Sequence, residues 1–365
     1  MYMERNQVDT ITILQAAMLV IITLAIAVHV ELVPFLLKSA GRDAWAAELV
    51  CIPIAVLIWI GIWFVVRLGP RLSPLDRIPR WCQPLLIVLV DAFVIISLAQ
   101  SLDSWQSFVG IVFLPGVPPP LVVISLVFTC IWIARHGLGT IAVTVGFLLP
   151  IIMVFGVMNS LGTMPDKQYF LLFPLLERGL SPFLQSVLIP IPIMGEFLII
   201  LFFAHQIRGK NALKLYPWLW TLGILAIISV GLVMGLLAEY GPYEVAHFRF
   251  PAFGGWRLLT FGEYIERLDY FAIYQWTAGL AGRMMVLLYI TGQVFRHASI
   301  RLPHMVGVAV LAVIVTLWPI DISTKEWLRS IYYPIEAVME VVTFLLFGIG
   351  SWFYRDRLPG GIQYD

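Results

Sequence analysis

The sequence predicts an all-α integral membrane protein. It should have ten transmembrane helices in a five-plus-five inverted repeat, with helices 1 and 6 broken. Three observations predict it. Sixty per cent of the 365 residues are hydrophobic and only 12% are charged, about half the charged share of a soluble domain. Long apolar runs recur along the whole chain with short connections between them. The first and sixth of these runs carry prolines and carboxylates that a plain membrane helix has little use for.

The apolar runs lie at about 11–36, 45–67, 83–108, 118–134, 138–158, 183–205, 215–238, 268–294, 304–319 and 332–354. Most reach or approach the roughly 20 residues that cross about 30 Å of hydrocarbon. The first run is too long for a secretory signal and lacks a small-x-small cleavage site, so it is expected to stay as a membrane helix. The ninth is short and ends at Trp318-Pro319. Substantial connections occur only at 68–80, 159–182 and 239–267, so residues 1–365 read as a single membrane domain. Residues 8–158 hold the first repeat and 181–354 the second. An odd number of spans per half inverts one repeat relative to the other.

Span 6 contains Pro190-Ile191-Pro192-Ile193-Met194-Gly195-Glu196. Two prolines, a glycine and a carboxylate in seven residues predict a helix broken at mid-membrane, within Ile189–Gly195. Span 1 contains Ala27-Val28-His29-Val30-Glu31-Leu32-Val33-Pro34 and is expected to break within Ile26–Val33. Discontinuous helices at matching positions expose backbone groups that can hold a small solute.

Lysine and arginine set the orientation. The N-terminal tail, the loops after spans 2, 4, 6 and 8, and the C-terminus hold thirteen of them, among them Arg67, Arg71, Arg77, Arg80, Arg208, Lys210, Lys214, Arg355 and Arg357. The opposite side holds nine, and Arg283 lies inside a span. The bias predicts cytoplasmic N- and C-termini.

Polar groups inside the spans are the candidate functional residues, because each is costly there unless paired, protonated or wet. Glu31 and Glu196 occupy comparable places in the two halves. Either could face a solute, or cap a helix fragment; Glu31 could also pair with Lys38. His29 could titrate near neutral pH or simply pack. Arg283 cannot shed its charge and needs an acid or carbonyls. Asp91 in span 3 and Glu340 in span 10 are the expected partners in a structural ion pair. Tyr270, Tyr274, Gln275 and Trp276 open span 8 and could form a polar aromatic wall, or a belt at the membrane surface. Asn159 and Pro165 shape the exit from span 5. Residues Trp256 to Asp269 read as an amphipathic surface helix.

Other function classes find no support. A net charge of +1 gives no field for nucleic acid. There is no Gly-x-Ser-x-Gly, no His-Glu-x-x-His and no phosphate-cradling glycine loop. The six histidines do not cluster in sequence. Cys51, Cys82 and Cys130 are widely spaced and read as packing residues. No enzyme activity, cofactor or metal site is expected.

Three stretches carry a resemblance. Gly41-Arg42-Asp43-Ala44-Trp45 follows span 1. Leu172-Phe173-Pro174-Leu175-Leu176-Glu177-Arg178-Gly179-Leu180-Ser181-Pro182 leads into span 6, which closes with Gly195-Glu196. Phe250-Pro251 precedes Phe261-Gly262-Glu263-Tyr264-Ile265-Glu266-Arg267-Leu268-Asp269, with Trp276 in the next span. In these, and over nearly its whole length, the chain resembles the B-subunit family of bacterial spore germinant receptors.

That resemblance implies a branch of the amino acid–polyamine–organocation transporter superfamily, with a LeuT-like inverted repeat. It implies the inner membrane of the dormant spore, and partners in an A-type membrane subunit and a C-type lipoprotein. It further implies a small nutrient, often an amino acid, bound among spans 1, 3, 6 and 8. On this chain those positions are Ala27, His29 and Glu31; Asp91 to Ser97; Pro192, Gly195 and Glu196; and Tyr270, Tyr274 and Gln275. Arg283 stands where a basic residue, usually lysine, is common. The family usually has glycines near the span-1 break. Ala27 and His29 restrict backbone approach there. A nutrient-sensing subunit, a proton- or sodium-coupled amino acid transporter and a structural subunit with a vestigial pocket all fit the fold. The motifs favour the first.

Overall fold

The first helix begins at a capping box. The Thr12 hydroxyl accepts from the Gln15 N–H and the Gln15 side chain accepts from the Thr12 N–H, at 3.2 and 2.9 Å, so two otherwise orphaned donors are satisfied. The computed structural model describes residues 10–68, 73–209, 214–260, 268–295 and 297–354. Among these, seven stretches are long and apolar enough to cross a membrane by themselves.

Span 1 runs from α1 (Ile13–Ile26) through a π-helical turn (Ala27–Leu32) into α2 (Val33–Ala40). Spans 2 to 5 are α3 (Ala44–Leu68), α4 (Gln83–Val112), α5 (Pro119–Ala134) and α6 (Leu138–Gly162). Span 6 is α7 (Leu180–Leu188), α8 (Ile191–Gly195), a tight 3-10 turn (Glu196–Ile199) and α9 (Ile200–Phe203). Then come α10 (Tyr216–Val245), the short α11 (Pro251–Leu258), α12 (Tyr270–Gln293), α13 (Ala298–Leu317) and α14 (Ile322–Tyr354). With α11 set aside, the ten expected spans are all present. The ninth, at 20 residues, is a full span whose first turns are too polar to stand out as an apolar run.

The outward faces of these helices are apolar: Leu121, Phe128, Phe147, Val154, Ile227 and Val338 are exposed, as hydrocarbon requires. In contrast α12 is buried along nearly all of its last two-thirds, from Ala278 to Gln293. It is the central helix, so its sequence need not be uniformly apolar.

Span 6 breaks where expected. α7 stops at Leu188 and α8 starts at Ile191, because Pro190 and Pro192 remove N–H donors from the ladder. The Met194 carbonyl, at the end of α8, accepts from the Trp59 indole of α3 at 3.0 Å, and Trp59 stacks on Phe197 with centroids 3.8 Å apart. Span 1 behaves differently. It does not separate into two half-helices; it stays wound and widens into the π turn at Ala27–Leu32. Without a glycine the backbone changes its hydrogen-bond register instead of opening. A two-residue parallel pairing of β1 (Ile11–Thr12) with β2 (Ile207–Arg208) ties the start of span 1 to the end of span 6.

Two of the sequence motifs pack on each other. Gly41 takes φ 58°, which a side chain disfavours, and turns the chain sharply from α2 towards α3. The Asp43 carboxylate accepts from the Leu176 N–H at 2.8 Å, and the Arg178 guanidinium donates to the Ser39 carbonyl at 3.3 Å. Arg42 lies 3.3 Å from Glu177. The loop after span 1 and the loop before span 6 are therefore one structural unit.

The expected surface helix at Trp256–Asp269 is not found as such. α11 ends at Leu258, and Trp256 and Leu259 are buried. Their apolar side chains go into the bundle, not the lipid interface. Residues 261–267, Glu263 among them, lie outside the described residues.

Candidate functional site

Close helix packing brings a buried cation to the span-6 break. A Cβ on Gly279 would lie 2.4 Å from Ile26 Cδ1, and one on Gly282 would lie 2.3 Å from Ile22 Cδ1. Glycine at these two places lets α12 lie against α1 as no larger residue could. The next residue, Arg283, then reaches both neighbours. Its Nη1 donates to the Thr23 carbonyl at 2.8 Å and to Glu196 Oε2 at 2.6 Å; its Nη2 donates to Glu196 Oε1 at 2.8 Å. Both side chains are almost wholly buried. Such a pair survives desolvation only with geometry of this quality.

This corrects the expected ion pair. Asp91 is instead 3.0 Å from His304 of α13. Glu340 packs on Gly195, where a Cβ would lie 2.0 Å from its Oε2. Glu196 takes both terminal nitrogens of Arg283, and neither Asp91 nor Glu340 is bonded to it.

Other polar groups gather around this pair. The Ser101 hydroxyl of α4 donates to the Glu31 carboxylate, and the Tyr333 hydroxyl donates to the Glu31 carbonyl at 3.1 Å. Ser97 and Tyr332 share a hydrogen bond of 2.9 Å. Glu336 and Glu340 of α14 each bury one carboxylate oxygen with no hydrogen-bond partner among the described residues. A water-sized cavity of about 40 Å³ touches Glu196 and Glu340.

The substantial cavity is lined by residues of α1, α6, α10, α11 and α12. Its volume is about 310 Å³, near the lower end for small-molecule sites. Missing side chains make the space: Gly156, Gly231, Gly235, Gly255 and Gly279 all line it. Phe108 and Trp276, stacked at 4.3 Å, form an aromatic floor. A chain of hydrogen bonds frames the wall. Tyr240 donates to the Gly254 carbonyl at 2.8 Å, the Trp256 indole to Gln275 Oε1 at 3.1 Å, and Gln275 Nε2 to the Ile152 carbonyl at 2.9 Å. Two polar atoms on this wall are buried without a hydrogen-bond partner among the described residues: Trp276 Nε1 and Asn159 Oδ1. Leaving such atoms unpaired costs about 1–3 kcal/mol each.

Of the residues singled out from the sequence, His29, Asn159, Gln275 and Trp276 stand on this wall. Ala27 is buried in the π turn, and Glu31, Ser97, Gly195 and Glu196 belong to the polar junction around Arg283. Pro192 serves to start α8. Tyr270 is 55% exposed at the start of α12, and Tyr274 packs edge-on against Phe155. Asp91 lies apart with His304. Sequence reasoning missed Lys167 and Glu239, which also line the cavity. A signal existed: Gly231, Gly235 and Glu239 recur every four residues on one face of α10.

The family model for "Spore germination protein" matches residues 10–324. Spore germination protein XB of Bacillus anthracis is 28% identical over 355 residues, covering 94% of this chain and 98% of that protein. Among solved structures, a histidine-to-alanine mutant of the Eremococcus coleocola manganese transporter superposes with a TM-score of 0.52, at 12% identity, over 92% of this chain and 76% of that one. That likeness concerns the fold: an all-α, multi-pass transporter-type bundle. The polar junction, the broken sixth span and the matching motifs are thus features of a germination-related membrane protein, and this chain belongs to the spore germination protein family.

Proposed function

We propose that the chain is the nutrient-sensing membrane subunit of a spore germinant receptor. It binds a small solute, an amino acid by preference, in the cavity beside the π turn of span 1. The observation that carries this reading is the pair of unpartnered buried atoms on that wall, Trp276 Nε1 and Asn159 Oδ1. A solute that satisfies them recovers the cost of leaving them dry. Arg283 bonds both the Thr23 carbonyl of α1 and Glu196 of span 6, so a solute that shifts α1 can act on span 6 through this one side chain.

The reading places the two repeats at 8–158 and 181–354, both termini in the cytoplasm, and the chain in the inner membrane of the dormant spore. Its partners are the A-type membrane subunit and the C-type lipoprotein. A proton- or sodium-coupled amino acid transporter is the competing reading. Uptake by the reconstituted chain under an ion gradient favours it, and nutrient binding without uptake favours the sensor.

Gly231→Leu tests the pocket. Gly231 lines the cavity at its exposed side and nothing lies within 4 Å of the position a Cβ would take there, so a larger side chain narrows the cavity there without a clash. Normal protein level with a raised nutrient dose for germination is expected. An unchanged dose response removes the cavity from the sensing site.

A further inference from the structure

Lys167 and Glu239 form an ion pair at one end of this cavity. Their charged atoms are 3.6 Å apart and the side chains are 6% and 4% exposed. Backbone chemistry brings them together. Pro242 has no N–H, so the Ala238 carbonyl four residues back loses its helical partner. The Gln168 N–H takes that carbonyl at 2.8 Å, which docks the loop carrying Lys167 onto α10. Lys167 Nζ also donates to the Ser160 carbonyl of α6 at 2.7 Å.

The junction is kept narrow but open. A Cβ on Gly255 would lie 2.9 Å from Asn159 Nδ2 and 3.4 Å from Glu239 Oε2. A Cβ on Gly235 would lie 3.5 Å from Lys167 Cε. The Lys167–Glu239 separation exceeds the roughly 2.7–2.9 Å of a closed charge-assisted bond. Beside Glu239, Asn159 Oδ1 is buried with no donor among the described residues. A buried ion pair adds little stability over apolar packing. One cation, one anion and one spare acceptor on a cavity wall suit a ligand that carries both charges.

We propose that this end of the cavity is a zwitterion subsite. Glu239 and Asn159 Oδ1 receive a ligand ammonium, and Lys167 receives its carboxylate. The ligand's side chain lies towards Phe108 and Trp276. Binding exchanges one ion pair for two and brings no net charge into the bundle. The inference rests on the cavity being the solute site, and extends it to the chemistry that selects the solute.

The experiment measures binding to the full chain in nanodiscs. The probes are L-alanine, L-leucine and L-phenylalanine, each with its carboxamide and its N-acetyl derivative. Wild type is expected to bind at least one free amino acid about tenfold or more tighter than either derivative, about 1.4 kcal/mol or more. Lys167→Gln should lower the free amino acid to the level of its carboxamide and leave the carboxamide unchanged. Glu239→Gln should do the same relative to the N-acetyl form. If either variant fails to accumulate, Asn159→Ala is read instead; it should weaken the free amino acid and spare the N-acetyl form. Equal weakening of all three ligand forms makes the pair structural and overturns the subsite, while Gly231→Leu still blocks binding. No binding by wild type, with Gly231→Leu silent, overturns the cavity reading and the subsite together.

Discussion

Arg283 and Glu196 hold each other by two parallel hydrogen bonds, of 2.6 and 2.8 Å, at the 3-10 turn that follows α8 in span 6. The same guanidinium bonds the Thr23 carbonyl of α1. One side chain thus joins the central helix, the broken helix and the helix with the π turn. The proline-marked break leaves Glu196 in a tight turn, and Arg283 fixes where that turn lies.

Arg283→Leu leaves the Glu196 carboxylate buried without its partner, a loss of about 3–5 kcal/mol. The variant is expected to fall sharply in membrane yield and in thermal stability in detergent. Glu196→Gln should also accumulate poorly, because the guanidinium then keeps its charge with no anion and one acceptor fewer. The double change Arg283→Leu with Glu196→Leu should recover part of the loss. Normal yield of Arg283→Leu would show that the pair does not hold the bundle.

Gly282→Ala places a methyl 2.3 Å from Ile22 Cδ1. Overpacking of this kind costs about 1–3 kcal/mol. The expected result is a lower melting temperature, largely restored by adding Ile22→Ala on the facing helix. A variant as stable as wild type would mean that α12 and α1 can move apart freely.

Trp59→Phe keeps an aromatic ring over Phe197 but loses the indole donor to the Met194 carbonyl. That carbonyl stays buried, so about 1–3 kcal/mol is lost. Faster amide exchange at the span-6 break than elsewhere in the bundle is the expected readout.

Trp276→Phe removes an indole N–H that has no partner among the described residues while keeping a ring against Phe108. Protein level should hold and the nutrient dose for germination should rise. An unchanged dose would take Trp276 out of the site.

Asp321 accepts hydrogen bonds from Ser323, from the Thr324 hydroxyl and from the Thr324 N–H at the start of α14. These bonds hold its carboxyl below the usual carboxylate range, the Ser323 hydroxyl contributing most. A depressed folded value stabilises above the unfolded one, near 3.9, and the contribution is lost as pH falls through the folded value. Asp321→Asn should therefore speed amide exchange at Thr324 near neutral pH, with the difference from wild type shrinking in strong acid.

Much of the architecture was legible in the residues. Apolar runs of membrane length name the spans, since hydrocarbon leaves a chain no other way to satisfy its backbone. Pro190, Pro192 and Gly195 mark the break in span 6, because missing donors and a missing Cβ act locally. The motifs at Gly41–Trp45 and Leu172–Pro182 carry the family likeness. Their meeting through Asp43 and Leu176 could not be read from either alone.

Sequence by itself determined which segments cross the membrane, where the sixth of them breaks, and that Arg283 needs a buried acid. Tertiary structure decided which acid. Asp91 and Glu340 are the partners the sequence suggests, and the close approach of α12 to α1 through Gly279 and Gly282 gives Arg283 to Glu196 instead. It also decided that span 1 widens instead of breaking, and that Lys167 and Glu239, 72 positions apart in the numbering, share one cavity. Local rules govern what a backbone can do at a proline or a glycine. Partner choice depends on distances of a few ångströms between helices, and those are set by how all ten pack together.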